Sequence, residues 1–246
     1  MPTALASPYT WRDDHVTAEL GGARALFTTR NGGVSSGAFA SLNLGRLTAD
    51  DGANVDENRQ RVADRTGCPR NQFLYGRQVH GATVRRATEP PGSTRTHAEE
   101  DGQATRLGRH PALVFVADCL PVLLISDAAV AAIHAGWRGI AAGILQEGMD
   151  AIEELGGART TALLGPGARG CCYEVGEEVH ARFAAHDARV GARNLDLAKV
   201  ATQQLETAGA EVHDTGLCTM CRPDLFFSHR RDDGVTGRQA GIVWLS

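Results

Sequence analysis

The sequence predicts an α+β or mixed-sheet α/β fold, and three observations carry that expectation. First, residues 113–143 (LVFVADCLPVLLISDAAVAAIHAGWRGIAAG) contain three short apolar runs, at 113–116, 122–125 and 130–133. Four consecutive apolar residues bounded by turn or polar residues fit strands buried on both faces. Second, from Gly139 onward Ile140, Ile144, Leu145, Ile152 and Leu155 recur at helical spacing, the mark of an amphipathic helix that Gly156-Gly157 stops. Third, strand-like runs come in groups with helical stretches interspersed irregularly, which points to mixed sheets rather than a strict βα alternation.

The remaining elements follow in chain order. Residues 25–29 (ALFTT) read as a strand that delivers Arg30 to a turn at Asn31-Gly32-Gly33. The glycine- and serine-rich segment up to Gly45 reads as a structured loop. Residues 54–66 read as a helix capped by Asn54, with Glu57 at its third position and Gly67 past its last turn. Residues 73–75 and Val79 flank a strand carrying Gln78 and His80. From 87 to 111 the composition shifts to Pro, Gly, Thr and charge, a long loop around Asp101-Gly102. A linker between two domains is the alternative, but both flanking segments supply site candidates, which suits one continuous fold. Beyond the central stretch, residues 160–164 are a buried-type strand ending at Gly165-Pro166-Gly167, and Val175, Val179 and Phe183 mark a helix face. Residues 196–208 form a helix capped by Asp196 and stopped by Gly209, 211–213 a brief strand, and Phe226-Phe227 and 242–245 closing strands.

Composition narrows the function. A chain of 246 residues with 42% hydrophobic and 22% charged residues builds its own core without staples. The net charge of −4 and the lack of a long basic run give no reason to expect a nucleic-acid partner. No uncharged run is long and apolar enough for a membrane span, and no basic start followed by an apolar core marks a signal peptide. The six cysteines (68, 119, 171, 172, 218 and 221) are unevenly spaced, which favours reduced thiols and a cytoplasmic location.

Cys119 follows the first central strand, and His134 closes the third, just before Ala135-Gly136-Trp137-Arg138-Gly139 leads into the helix. A hairpin through residues 126–129 puts both on one rim of a sheet, facing solvent from a rigid support. His80, Cys119 and His134 supply two imidazoles and a thiolate, a sound zinc shell that leaves a fourth position open for water or substrate. Two alternatives stand beside it: a buried thiol with a satisfied strand-end histidine, and a Cys119 nucleophile with His134 as its base. Cys218-Thr219-Met220-Cys221 is half of a structural zinc site; lacking a second pair, unless Cys171-Cys172 contribute, it reads as incidental thiols. Arg30, Arg138, Arg230, Arg231 and Arg238 are candidate anion contacts, with Arg138 the sharpest because it lies at the helix start. Trp137 either stacks on an aromatic ligand or packs in the core. Neither the dinucleotide fingerprint nor the P-loop is present.

The motifs FTTRNGGVS (27–35), SLNLG (41–45), ENR (57–59), QVHG (78–81), ADCLPVL (117–123), HAGWRG (134–139), YEVG (173–176), LDL (195–197), FFSHRRD (226–232) and TGRQA (236–240) span nearly the whole chain. In this order they resemble the bacterial purine nucleoside phosphorylase family long labelled laccase-domain or multicopper polyphenol oxidoreductase proteins. The resemblance implies one α+β domain over 1–246, with mixed β-sheets sandwiched between helices (an α/β/β/α layering) and about 20 peripheral N-terminal residues. It implies His80, Cys119 and His134 as metal ligands and catalytic residues, zinc as the cofactor with copper as the alternative, and Arg30, Asn43 and Arg138 as substrate or phosphate contacts. The implied reactions are phosphorolysis of adenosine, inosine or 5′-methylthioadenosine and deamination of adenosine; a metal-free Cys–His deamidase and a copper polyphenol oxidase are the alternatives. Purine nucleosides and phosphate are the implied partners, with the chain a monomer or weak homo-oligomer. The chain departs from the family at GPGARGCC (165–172), at His229 and at Cys221, none of them in the implied triad.

Overall fold

A computed structural model describes residues 4–91 and 98–246. In chain order the strands are β1 (Thr10–Arg12), β2 (His15–Leu20), β3 (Ala23–Phe27), β4 (Val84–Ala87), β5 (Gly102–Thr105), β6 (Ala112–Val116), β7 (Leu120–Ser126), β8 (Val130–Ala135), β9 (Thr160–Leu164), β10 (Arg189–Val190), β11 (Asn194–Leu195), β12 (Glu211–Asp214) and β13 (Gln239–Leu245). The helices are α1 (Gly52–Thr66), α2 (Trp137–Ala141), α3 (Ile144–Glu154), α4 (Glu177–Arg182) and α5 (Leu197–Thr207).

The central apolar runs are strands, as expected, but they do not share one sheet. β6 is an edge of an antiparallel sheet of order β1-β2-β3-β13-β6, whereas β7 and β8 lie inside a mixed sheet of order β12-β9-β7-β8-β5-β4. Between β6 and β7 the chain crosses from one sheet to the other at Ala117-Asp118-Cys119. The run Val122-Leu123-Leu124-Ile125 shows why continuous hydrophobicity was needed. Successive strand residues point to opposite faces; Val122 and Leu124 pack with Ile144, Leu145 and Val200 of α3 and α5, and Leu123 and Ile125 pack with Phe27, Val114 and Val243 of the other sheet. On that sheet's far side Leu26, Leu113 and Ile242 meet Val62 and Ala63 of α1. The layers therefore run helix, six-stranded sheet, five-stranded sheet, helix, which is the mixed α+β architecture expected.

Several local expectations are corrected. The helix expected from Gly139 to Leu155 is two helices, because Gly143 takes the left-handed conformation (φ +92) between α2 and α3. α1 starts earlier than expected, and its cap is Asp51, whose side chain accepts from the Ala53 N–H; Gly67 closes it in the left-handed region. No strand forms around Gln78 and His80, which lie in an irregular segment tied by isolated bridges at Leu74 and Arg77. The loop expected over 87–111 contains β5, and 92–97 of it lie outside the described residues. Phe226 and Phe227 are fully buried but not in a strand. Residues 10–20 form a hairpin at the edge of the five-stranded sheet, and Tyr9 is buried, its hydroxyl donating to the His213 carbonyl at 2.8 Å. Asp196 caps α5 as expected, accepting from the Lys199 N–H. No helix among the described residues is long and apolar enough to cross a membrane.

The contact of α3 with the mixed sheet depends on Gly148, where a Cβ would collide with Ile133 Cδ1 and stand 3.2 Å from Leu124 Cδ1. Gly148→Ala is expected to lower stability in urea unfolding by about 1–3 kcal/mol through overpacking. Ile133→Val, which deletes the colliding atom, should recover part of the loss in the double variant. Strictly additive effects would show that the two positions do not oppose each other.

Candidate metal centre

The β7–β8 hairpin sets the geometry of the site. Its register places Pro121 opposite His134 and Leu120 opposite Ala135, so one step further out Cys119 faces Gly136. β5 pairs with the other edge of β8, Gly102 opposite Ile133, which brings Asp101 beside His134. The His134 N–H donates to the Asp101 carbonyl at 2.7 Å. The irregular segment carrying His80 folds over the same rim. As a result the ligating atoms of His80, Cys119 and His134 lie within 4.8 Å of one another, and the two imidazole rings stand edge to face with centroids 4.8 Å apart.

Asp101 orders both imidazoles. Its buried carboxylate accepts from His134 Nδ1 at 2.8 Å and from three successive backbone N–H groups, Val79, His80 and Gly81, at 3.1, 2.9 and 2.8 Å. The first bond commits His134 to the Nδ1–H tautomer and turns Nε2 toward the site, the arrangement typical of ligating histidines. The three N–H bonds hold His80 in the left-handed region (φ +63), strained for a residue with a side chain. Burial opposes charge on Asp101, but the His134 hydrogen bond and the backbone donors hold its carboxyl below the usual carboxylate range.

Cys119 and His134 polarise each other. Burial works against the thiolate, yet His134, together with hydrogen bonds from both histidines, draws the Cys119 thiol down to about 6. Burial likewise disfavours the imidazolium, yet Cys119 and Asp101 push His134 up to about 9. A thiolate flanked by two imidazoles is the donor set of a borderline-soft dication. Space is kept for it: a Cβ at Gly136 would stand 3.0 Å from Cys119 Sγ and 3.1 Å from His80 Cδ2. His134 is buried, Cys119 half-buried and His80 exposed, so the group opens to solvent on the His80 side. The donor set and the glycine-lined clearance fit a zinc ion.

The residue before Cys119 is strained and over-determined. Asp118 has φ +87; its carboxylate accepts from Thr219 Oγ1 at 2.6 Å and from the Arg230 N–H at 2.7 Å, and its carbonyl from the Ala168 N–H at 2.8 Å. Asp101 and Asp118 both escaped the sequence reading. Asp118 adjoins Cys119, a signal that was available; for Asp101 no local pattern marks a residue whose partners lie 20–33 positions away.

The anion candidates separate. Arg138 lies in the first turn of α2, exposed, with its guanidinium 4.4 Å above the Trp137 ring. Arg230 lies over Tyr173 at 5.2 Å, and Tyr173, pushed up to about 12 mainly by burial, also feels Cys119, Asp118 and Arg138. Arg238, lowered by burial, feels Cys119 and Asp118. Tyr173 and Arg238 thus lie in the electrostatic field of Cys119 and Asp118, a placement sequence reading did not assign to Tyr173. Arg30 is engaged elsewhere, donating to the Ala40 and Pro223 carbonyls and lying over Phe227. Asn43 is fully buried; its amide donates to Thr48 and Asp50, and its oxygen accepts from the Gly45 and Arg238 N–H groups. That leaves Asn43 no face for a ligand, and its place is to hold the Arg238 backbone. The thiols of Cys171, Cys172, Cys218 and Cys221, expected to be incidental, lie within 4.8 Å of one another. An apolar depression lined by Leu44, Val62, Phe73 and Phe115 among others contains none of the ligating residues.

Asp101→Asn replaces an ionised acceptor with an amide that must also find partners for its N–H groups. It is expected to weaken metal binding about 10–100-fold, read by competition with a chromophoric chelator. Unchanged affinity would remove Asp101 from the support of the ligands.

Comparison with known proteins shows the family and the fold. The family model described as multi-copper polyphenol oxidoreductase laccase matches residues 24–246. A protein of Corynebacterium glutamicum named purine nucleoside phosphorylase is 40% identical over 233 residues, covering 90% of this chain and 94% of the relative. The Escherichia coli purine nucleoside phosphorylase YfiH is 37% identical over 236 residues, covering 91% and 94%. Among solved structures, the Bacillus licheniformis hypothetical protein YfiH superposes with a TM-score of 0.91 at 30% identity, covering 98% of this chain and 100% of that one. YlmD from Geobacillus stearothermophilus gives a TM-score of 0.88 at 29% identity, covering 96% and 98%. With its sequence matched almost end to end and its fold shared, the chain belongs to this laccase-like polyphenol oxidoreductase family, alongside relatives that carry purine nucleoside phosphorylase names.

Proposed function

We propose that this protein is a zinc-dependent purine nucleoside phosphorylase that also deaminates adenosine. The observation that carries this is the convergence of His80, Cys119 and His134 on one open point, joined to the purine nucleoside phosphorylase names of its relatives. A zinc ion held by the three residues supplies a Lewis acid at the reacting centre. Asp101 keeps His134 and His80 aimed at that point, and buried surroundings keep the electrostatics strong.

Phosphorolysis needs an anion brought to C1′ of the nucleoside while positive charge grows on the sugar. Arg138, at the start of α2, is the residue placed to hold phosphate, its planar guanidinium already oriented by Trp137. Arg230 and Arg238 add positive potential along the same border. The exposed flank at His80 admits the nucleoside. Arg30 and Asn43 act by supporting these loops.

One specific observation favours a second reading. Cys119 and His134, close together on the rim with the thiol drawn down and the imidazole pushed up by one another, are also the equipment of a metal-free Cys–His hydrolase. Two imidazoles and a thiolate also suit copper, so metal analysis of the wild type against Cys119→Ala, which reads the metal held at this group, separates all three readings.

Cys119→Ala should abolish metal binding at the His80–Cys119–His134 group together with phosphorolysis and deamination of adenosine, followed by chromatography of the products with and without phosphate. Phosphorolysis that persists in metal-free protein would sink the proposal, and activity that survives chelators but dies with thiol alkylation would establish the Cys–His reading. Arg138→Ala is expected to raise KM for phosphate by about 10–100-fold, the range of a charge-assisted contact. A phosphate KM left unchanged would exclude Arg138 as the anion contact.

A further inference from the structure

A second cluster of soft ligands lies away from the triad, and the topology explains how it forms. β9 and β12 are parallel neighbours, Thr161 opposite Glu211 through Leu164 opposite Asp214, so the chain leaves both strands at the same end of the sheet. The segment after β9 carries Cys171-Cys172, and the segment after β12 carries Cys218 and Cys221. The two segments continue to pair beyond the strands. Gly167 bridges Cys218, the Gly167 N–H donates to the Leu217 carbonyl at 3.2 Å, and the Thr219 N–H donates to the Gly167 carbonyl at 3.0 Å. Arg169 fastens them further, donating to both Asp214 carboxylate oxygens at 2.6 and 2.7 Å and to the Gly165 and Leu217 carbonyls. A turn in which the Cys172 N–H donates to the Arg169 carbonyl brings the adjacent thiols to the side facing Cys221.

The result is four sulfurs in one small volume. Cys172 Sγ lies 3.0 Å and Cys171 Sγ 3.6 Å from Cys221 Sγ, and no two of the four are more than 4.8 Å apart. All four cysteines are free. A tetrahedral zinc ion with Zn–S bonds of about 2.3 Å needs sulfurs about 3.8 Å apart, the middle of the observed range. Among the described residues no carboxylate or imidazole enters the cluster, and an all-thiolate tetrahedral set selects zinc over magnesium, calcium or manganese.

We propose that Cys171, Cys172, Cys218 and Cys221 form a second metal site, a closed tetrathiolate centre for a structural zinc ion. It is separate from the open His80–Cys119–His134 group and does not depend on the function proposed for that group. On binding, the thiols surrender their protons to solvent and become four thiolate ligands; no redox change is involved. The ion cross-links the loops after β9 and β12, which carry no regular strand pairing past Leu164 and Asp214. The bound loop also reaches the catalytic rim. Thr219, inside the Cys218–Cys221 turn, donates to the Asp118 carboxylate at 2.6 Å, and its carbonyl accepts from Arg231 at 2.8 Å. Asp118 is the strained residue that presents Cys119, so the second site braces the first from behind.

Metal analysis by mass spectrometry of protein purified without chelator tests this. Wild type is expected to hold two zinc ions per chain, and Cys119→Ala one. A Cys119→Ala protein without zinc overturns the proposal. The double variant Cys218→Ser/Cys221→Ser should lose the ion that Cys119→Ala retains; retention of two ions also overturns it. Should that double variant not fold, cobalt reconstitution of Cys119→Ala decides. The expected spectrum has intense visible bands and the near-ultraviolet sulfur-to-cobalt transitions of a tetrahedral thiolate complex. Cobalt taken up without thiolate bands, or a disulfide among these cysteines found by mass after alkylation without reductant, would replace the metal site with another use of the thiols.

Discussion

One buried carboxylate organises the site. Asp101 joins three stretches of chain: the strand end carrying His134, the irregular turn carrying His80, and its own position just ahead of β5. An ionised group with no exposure to water persists only when its oxygens are filled with donors, and the His134 Nδ1 and three backbone N–H groups do this. Remove the charge and two consequences follow together: the His134 tautomer is no longer imposed, and the backbone of residues 79–81 loses the acceptor around which it curls. Two of the three candidate ligands, His80 and His134, are therefore positioned by hydrogen bonds to a residue that is not itself among them.

The second constraint is how closely backbone approaches backbone on the rim. Gly136 leaves room beside Cys119 and His80, and Gly139 lets α2 come against the Gly81 carbonyl, where a Cβ would stand 2.8 Å from that oxygen. The HAGWRG run thus works chiefly through what its glycines omit, while His134 and Arg138 supply the chemistry on either side. The crossing from one sheet to the other at Ala117-Asp118-Cys119 adds strain at Asp118, and the surrounding hydrogen bonds hold that strain in place. Rigid sheets beneath and fixed turns above give the three ligands little freedom to wander, which is what an open metal site needs to keep its vacant position.

Local physics made much of the fold legible. The apolar runs at 122–125 and 130–133 had to be strands buried on both faces, because four consecutive apolar side chains leave no polar face for solvent, and they are. Asp196 and Gly209 bracket α5 as a cap and a left-handed stop should. The expected boundaries that moved share one cause. Gly143 divides a helix whose apolar spacing continues unbroken, and β5 hides in a polar stretch because its pairing with β4 and β8 comes from partners distant in sequence. Spacing cannot register either effect.

For the site, the sequence by itself determined which side chains are available: one thiol and one imidazole flanking a hairpin, a third ligand in QVHG, and an arginine at a helix start. It also determined the family likeness through motifs that survive in order. Only the tertiary structure decided that those ligands meet, that Asp101 orders the two histidines, that Arg30 and Asn43 hydrogen-bond to neighbouring loops, and that CTMC finds its partner pair in Cys171-Cys172. The physical reason is the same in each case. Residue type and local propensity are encoded within a few positions, but convergence is set by strand register and sheet order, and these bring together atoms separated by tens of residues.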